Sequence, residues 1–522
     1  MFLQLFTAIL LQAFVPFFFG SAGYRGGREP ARSMPKEHIL HVVSMGAIPN
    51  DSLDDIAAIQ AGVDSLAKLG GGVLQFPAGV FDFDVATKGR FVLINTSNII
   101  VRGYGEGIDG THLIDHHSSA SPVEDKPWLA AVSPSFFKVE PKGGSVFPPR
   151  ENEPYSASLA IRPARLNSRT LVLAKGNTAS GLKVGDLLFL TQEDPGDSSL
   201  LFSITAPIRY LAPDKLKLDG EKKYVFRQWL CISHIGGDSL TFSTPIGWRL
   251  EKQWKPRLWR SSKAMLSEVG IENFWCTAKN RPAFVHHRSG EDDNGADAIQ
   301  IQSLANGWVR NIHTEGVSTA VGIRNSMACT VADVRISAGA NGWGHNGVVL
   351  QDASSCLVTR VQGGSQMHTW SLNGYCVGNA FHLCQGNEPS AIDTHGGLGV
   401  FNLFDTMLGG VLKSGGSGQN TPPGMGHGLI LWHWRYGFTE PYKLAIYPEV
   451  FDAMANPGTY AIGIYPSQGQ PLYWLDEAGQ KRTENSNLKP NQLGSMVQEW
   501  GKMPSIPSLY QWQKQKGYTI SK

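Results

Sequence analysis

The chain has 522 residues, a formal net charge of +2, 42% hydrophobic residues and 17% charged ones. That balance excludes a disordered chain and gives no net pull toward nucleic acid or an anionic membrane, leaving open only a local basic groove. With 59 glycines and 30 prolines the turn load is high, as expected for many short strands.

In chain order, residues 5–19 of "MFLQLFTAILLQAFVPFFFGSAG" are almost wholly apolar, and "GSAG" supplies small residues. The pattern predicts an export signal, residues 1–22, cleaved near Ala22, although it lacks a leading Lys or Arg. The run is short for a full span and contains Pro16, so no membrane span is expected after cleavage. The mature protein is then secreted or periplasmic.

Residues 40–120 open the folded part. Within "PNDSLDDIAAIQAGVDSLAKLGGGVLQFPAGVF", Asp51, Ser52 and Asp54 offer N-cap side chains for a helix through about Lys68. Ile56, Ile59, Val63 and Leu66 fall on one face, and Gly70–Gly72 stop the helix before strand, turn and strand. This stretch resembles the N-terminal cap of right-handed parallel β-helix carbohydrate-active proteins, the pectate-lyase-like superfamily. There a short helix covers the open first coil and a Gly-Gly-Gly, strand, Phe-Pro-Ala-Gly signature follows. The resemblance implies an all-β fold, a right-handed parallel β-helix, but not a substrate.

Residues 121–262 break the pattern and read as a small inserted antiparallel β unit. "SRTLVLAKGNTASGLKVGDLLFLTQED" and "ISHIGGDSLTFSTPI" look like its hairpins, and Trp229, Trp248, Trp254 and Trp259 like core. From 263 to 440 the chain is periodic. "WVRNI", "TVADV" and "LVTRV" align as second strands of successive units spaced by 22 and 27 residues, the mark of a solenoid. Cys329 and Cys356 then share one place on neighbouring coils, and Cys376 is expected to follow them. The six cysteines are expected to be mostly free, buried thiols. In 441–522, "TYAIGIYPSQGQPLYWLDEAG" reads as one more hairpin, and "PSLYQWQKQKG" resembles the closing helix of some members of the superfamily.

The residues just before the first strands of the units align as Asp297, Thr319, His345, His368, His395 and His427, at spacings of 22, 26, 23, 27 and 32. Four successive coils thus put His at one sheet edge, with neighbouring imidazoles roughly 5 Å apart. The competing reading is a ladder that only hydrogen-bonds turn backbone. Asp393, two before His395, falls on the same side of an extended chain. His287, Arg288, Glu291, Asp292 and Asp293 crowd the loop before Asp297. Asp292 and Asp293 could hold Ca²⁺ through oxygen ligands, or form a solvated acidic loop. "AIDTHGG…FNLFD" resembles a segment of polysaccharide-degrading β-helix proteins. The Asp-rich polygalacturonase signatures and the Arg-x-Pro-x-x-Arg of calcium pectate lyases are absent, so no catalytic residue carries over from them.

Three function classes remain, each with a polysaccharide partner. A lyase acting on a uronic-acid polymer needs a base, and His395, His368 or His345 can serve. It needs a cation for the substrate carboxylate, Arg324 or Arg288, and an acid, Tyr375 or a second His. His287, Asp297, Asn373 and His427 would line the substrate. A glycoside hydrolase needs two carboxylates about 5–9.5 Å apart, and Asp393 and Asp297 fall about 19 Å apart on this alignment. A non-catalytic glycan-binding β-helix is the third. A column of His and Arg, poor in paired acids, favours elimination.

Overall fold

The computed structural model describes the chain apart from residues 1–14, 31–37, 85–90, 117–120, 124–125, 133, 147–154, 207–222, 262, 280–282, 387–389, 414–423, 437–441, 445–455, 457, 467–471, 476–480, 483–495 and 518–522. Most of its strands lie in two long parallel sheets. One has eight strands: β1 (Val92–Ile94), β2 (Ser135–Val139), β3 (Asp297–Gln302), β4 (Thr319–Arg324), β5 (Asn346–Gln351), β6 (His368–Asn373), β7 (Ala391–Thr394) and β8 (Val411–Lys413). After β3, β4, β5 and β6 the chain crosses to the second sheet, whose strands Trp308–Glu315, Thr330–Ser337, Leu357–Gly363 and Ala380–His382 are also stacked in order. Single-residue bridges Ala305–Met327–Ser354–Val377–Val400 make a narrow third face between them. The chain is therefore a parallel β-helix, with the expected pairing Trp308–Thr330–Leu357 on the second face.

Register explains the core. Ile299, Val321, Val348, Trp370 and Ile392 occupy the same inward position on five successive strands, and all are buried. Apolar side chains in like positions stack coil on coil, so each coil removes its neighbour's apolar surface from water. In the turn after each bridge residue, Cys329 and Cys356 are in line as expected. The next place is held by Asn379 rather than Cys376, and Asn402 follows it. Asn379 Oδ1 accepts from Cys356 N (2.8 Å) and its Nδ2 donates to Ala353 O (2.9 Å), while Asn402 Oδ1 accepts from Asn379 Nδ2 (2.9 Å). An amide satisfies the turn backbone of the preceding coil, which a thiol does poorly. All six cysteines are free, and five are buried.

The helix Ile56–Lys68 buries Ile56, Ile59, Val63 and Leu66, as its spacing predicts. Its N-cap is Asp55 rather than Asp51, Ser52 or Asp54, and the Asp55 carboxylate turns away to accept from Ile48 N and Asp82 N (both 3.1 Å). The antiparallel unit forms a six-stranded sheet from Tyr155 to Ser261. It starts later than residue 121, because Ser135–Val139 pairs in parallel with Asp297–Ile301 as part of the β-helix. Tyr224–Gly236 and Ser239–Phe242 form the expected hairpin. Thr170–Val172 and Leu187–Glu193 do not pair with each other, since each pairs with strands nearer the chain's later part. Trp229, Trp248 and Trp254 are buried and Trp259 is half-buried, as core residues. Tyr460–Pro466 and Leu472–Leu475 belong to different sheets and so form no hairpin.

Ser508 caps the closing helix Leu509–Lys516, its Oγ accepting from Gln511 N at 3.1 Å. Asp405 anchors it by accepting from Ser508 Oγ (2.6 Å) and Tyr510 N (2.8 Å), so the helix lies along the flank of the second sheet. Residues 15–24, within and just beyond the segment read as an export signal, pack here too. Phe17 O accepts from Gln513 Nε2 (2.9 Å), Phe19 N donates to Gln513 Oε1 (2.7 Å), and Phe17, Phe19 and Ala22 are buried. Residues 1–14 lie outside the described residues. Among the described residues no helix is long and apolar enough to cross a membrane.

On the outer side of the second sheet, Glu272 lies in register between Arg102 and Arg310. Its carboxylate accepts from Arg102 Nε (2.6 Å), Arg310 Nε (2.7 Å) and Trp308 Nε1 (2.9 Å), and it is 1% exposed. Removing it takes the shared carboxylate from two partly buried guanidinium groups and an indole N–H. Glu272→Ala is expected to cost about 3–5 kcal/mol in chemical denaturation. A loss below about 1 kcal/mol would place the cluster among weak surface pairs.

Candidate active site

The outer face of the eight-stranded sheet carries the polar residues. Gln300, Gly322, Val349, Ser371 and Asp393 share one position on β3–β7. Gln302, Arg324, Gln351 and Asn373 share the last position, which His395 continues one residue beyond β7. The first position holds Asp297, Thr319, Asn346 and His368. The single-file column of four histidines is thus corrected. His345 precedes its strand by one residue, His395 sits at the opposite end of β7, and His427 precedes Leu429–Tyr436 in the second sheet.

Three of the four imidazoles nevertheless meet. Ring centroids of His345 and His368 are 5.1 Å apart, and those of His368 and His395 are 4.6 Å apart. Asp393 draws them together. Its Oδ2 accepts from His395 Nδ1 (2.9 Å) and Ser371 Oγ (2.9 Å). His368 Nδ1 lies 2.9 Å from the same oxygen, an ion-pair contact out of line for a formed hydrogen bond. Asp393 is fully buried. Burial pushes its carboxyl up, but the contacts to His368 and His395 outweigh this and hold it at about 2. The ionised carboxylate fixes the proton of His395 on Nδ1 and leaves Nε2 as a lone pair, on a side chain that is 27% exposed.

The fourth member of the group is His286, one residue before the expected His287. Its ring lies 5.2 Å from His345 and 5.7 Å from His368. His345 Nδ1 donates to the Asp293 carbonyl (3.1 Å), and burial next to His368 holds this imidazole at about 3. Burial, then His287, also lowers His286. The loop's own charges are spent internally. Arg288 holds Asp292 through Nε (2.9 Å) and a terminal nitrogen (2.6 Å), Ser289 Oγ donates to Asp292 (2.6 Å), and His287 Nδ1 lies 2.8 Å from Asp293 Oδ2. These contacts occupy the oxygens that the Ca²⁺ reading required.

The remaining expected residues fall elsewhere. His427 is packed against Trp248 and Phe401 (ring centroids 5.7 and 5.9 Å). Tyr375 follows the Gly374 turn and lies under the Arg227 guanidinium of the inserted unit at 4.0 Å, away from the proton-donor role. Arg324 and Asn373 hold the shared last position, and Arg324 stands three strands from His395, about 14 Å at the inter-strand spacing. Asp297 accepts from Gln300 Nε2 (2.8 Å) and stands four strands from Asp393, about 19 Å. Gly397, the second glycine after His395, does not open space for a ligand. A Cβ on Gly397, at φ +114°, would meet Gly374 O at 2.2 Å, so this turn packs directly on the preceding coil. Sequence reasoning passed over His286 and Ser371; the adjacent His pair was visible, but not which ring faced inward.

A cleft of about 670 Å³ between the inserted unit and the β-helix shares no lining residue with this cluster. Charged residues on each side of it pair with one another, Arg25 with Glu268 (3.0 Å) and Arg260 with Asp186 (3.7 Å).

No family model and no curated protein matches the chain. Among solved structures it is similar to the tailspike protein gp49 from Pseudomonas phage LKA1, at 11% identity over 83% of this chain and 76% of that one, TM-score 0.47. The Pseudomonas phage phi297 tailspike gp61 is 11% identical over 84% of each chain, TM-score 0.30. A tailspike mutant of E. coli bacteriophage HK620, in complex with a hexasaccharide, is 11% identical over 83% of this chain, TM-score 0.42; the chain spans 59% of its length. The likeness is one of overall fold.

Proposed function

We propose that the chain is a polysaccharide lyase that cleaves a uronic-acid polymer by β-elimination on the outer face of β5–β7. The observation that carries this reading is the buried Asp393 carboxylate bound to the half-exposed His395 imidazole at 2.9 Å. A neutral imidazole oriented by a carboxylate is a general base suited to neutral pH. His395 Nε2 takes the proton from the carbon next to the substrate carboxylate. The electron pair left behind forms a carbon–carbon double bond as the bond to the leaving sugar oxygen breaks. The imidazolium then gives its proton to that oxygen, so Tyr375 is not needed. The bonding partners of Asp393 among the described residues are His395, His368 and Ser371, which makes it a positioning residue. Hydrolysis is less well supported, because Asp292, Asp293 and Asp393 are each bound to Arg or His and Asp297 lies four strands from Asp393.

A secreted or periplasmic site of action belongs to this proposal; the apolar run 5–19 supports it, whereas the packing of Phe17, Phe19 and Ala22 into the fold weighs against cleavage near Ala22. The intact mass of the exported protein tests cleavage near Ala22; an unprocessed chain would contradict it. For the reaction, the test is incubation with uronate-containing and neutral polysaccharides. A rise in the ultraviolet absorbance of an unsaturated uronate is expected. New reducing ends without that absorbance would support hydrolysis instead, and no product at all would leave glycan binding.

A further inference from the structure

The imidazole cluster holds more nitrogen than general-base chemistry uses. His286, His345 and His368 each offer a ligand atom, and these atoms lie within 4.8 Å of one another. The Nε2 atoms of all three are buried and have no hydrogen-bond partner. Leaving three buried polar atoms unsatisfied is costly, and His368 is only 5% exposed. A cation at their common centre satisfies all three together.

The tautomers agree. A carbonyl oxygen only accepts, so His345 carries its proton on Nδ1 toward Asp293 O and presents Nε2 as a lone pair. His368 has its Nδ1 side against the Asp393 carboxylate at 2.9 Å. An imidazole backed by a carbonyl or carboxylate, with the other nitrogen free, is the arrangement that orients histidine on a metal.

We propose that His286, His345 and His368 bind a divalent transition-metal ion of the zinc class through Nε2. Three imidazoles suit zinc, iron, nickel or copper, whereas Ca²⁺ and Mg²⁺ prefer oxygen ligands. With metal–nitrogen bonds of about 2.0–2.1 Å, tetrahedral ligand atoms lie about 3.4 Å apart. Small rotations of the three rings close that gap. The fourth position would accept water or a substrate oxygen. His395 stays outside the ligand set as the base, beside His368. The ion would take the role expected of Arg324 or Arg288, neutralising the substrate carboxylate as the α-proton leaves. That role rests on the elimination reading above; the binding itself does not.

The test uses the full chain stripped with a chelator and titrated with Co²⁺, whose visible absorption reports tetrahedral nitrogen coordination. Saturation at a single ion per chain, displaced by Zn²⁺, is expected. His286→Ala, on a partly exposed loop, and His345→Gln should each weaken Co²⁺ binding by about tenfold or more. His395→Ala should keep the same spectrum. Absence of the cobalt band in the wild type, or equal binding by the His286→Ala and wild-type chains, would overturn the site whatever the other variants do. Cleavage that persists unchanged in the stripped protein overturns the ion's catalytic role and leaves the lyase reading standing. Tight metal binding without cleavage of any uronate polymer retains the site and removes that reading.

Discussion

His395→Ala is expected to lower cleavage of the uronate polymer by about 100- to 10,000-fold, the range removed with a positioned general base. The fold should survive. The side chain is 27% exposed and meets the buried network through its Nδ1 bond to Asp393 and its ring contact with His368, so stability should change by no more than about 1–2 kcal/mol. A melting curve beside the rate measurement separates the two effects. Asp393→Asn is expected to reduce kcat with little change in KM, because the carboxylate orients the imidazole and meets no substrate. It should also destabilise the chain, since Ser371 and two histidines converge on this buried group. Full activity in His395→Ala would remove the dyad from the mechanism.

The second large effect is a loss of stability in mild acid. His382 is buried and His427 half-buried, and desolvation holds each at about 4. His112, half-buried, and His313, buried, are stacked on either face of Trp275 and are also held at about 4 by burial. In the unfolded chain these groups take protons from about pH 6.5 downward, while the folded chain resists until about pH 4. Their contribution is therefore complete above pH 6.5 and is lost as pH falls toward 4. The fully buried Asp405 carboxyl acts in the opposite sense. Burial raises it to about 6, so the folded chain gains a proton between pH 6 and 4 that the unfolded chain does not yet bind. Asp55, also raised to about 6 by burial, acts like Asp405, and the four imidazoles outnumber the two carboxyls by a net of about two protons, giving a slope of at most about 3 kcal/mol per pH unit near pH 5. Urea denaturation of the stripped protein at pH 7, 6 and 5 measures that slope. A flat profile would mean that these histidines are already protonated in the folded chain.

The β-helix was legible because stacked coils repeat a local pattern. A strand whose inward residue is apolar on every turn, as in Ile299, Val321 and Val348, announces itself in one dimension. The site was legible only in part. Coil lengths differ, with 22 residues from Asp297 to Thr319 and 27 from Thr319 to Asn346, and the extra residues enter at turns. Matching histidine to histidine absorbed those insertions in the wrong place. It moved His345 by one residue, carried His395 to the wrong end of β7 and put His427 in the wrong sheet. The cluster survives the misalignment because a buried carboxylate, not strand register, gathers His368 and His395. Asp393 lies beside His395 as expected, since its alternation with His395 needs only two residues of extended chain. Tyr375 was misplaced because a positive φ at Gly374 turns the chain between it and His368. Cys376 failed for a chemical reason: the place it was assigned needs an amide that can bond turn backbone in both directions, as Asn379 does.

The central claim is that His395 removes a proton from carbon, so that no water enters the product. The most direct measurement is mass spectrometry of the first products formed in water enriched in heavy oxygen. Elimination predicts an unsaturated oligosaccharide whose new ends carry no heavy oxygen from bond cleavage. A saturated product carrying one heavy oxygen per bond cut would contradict the account.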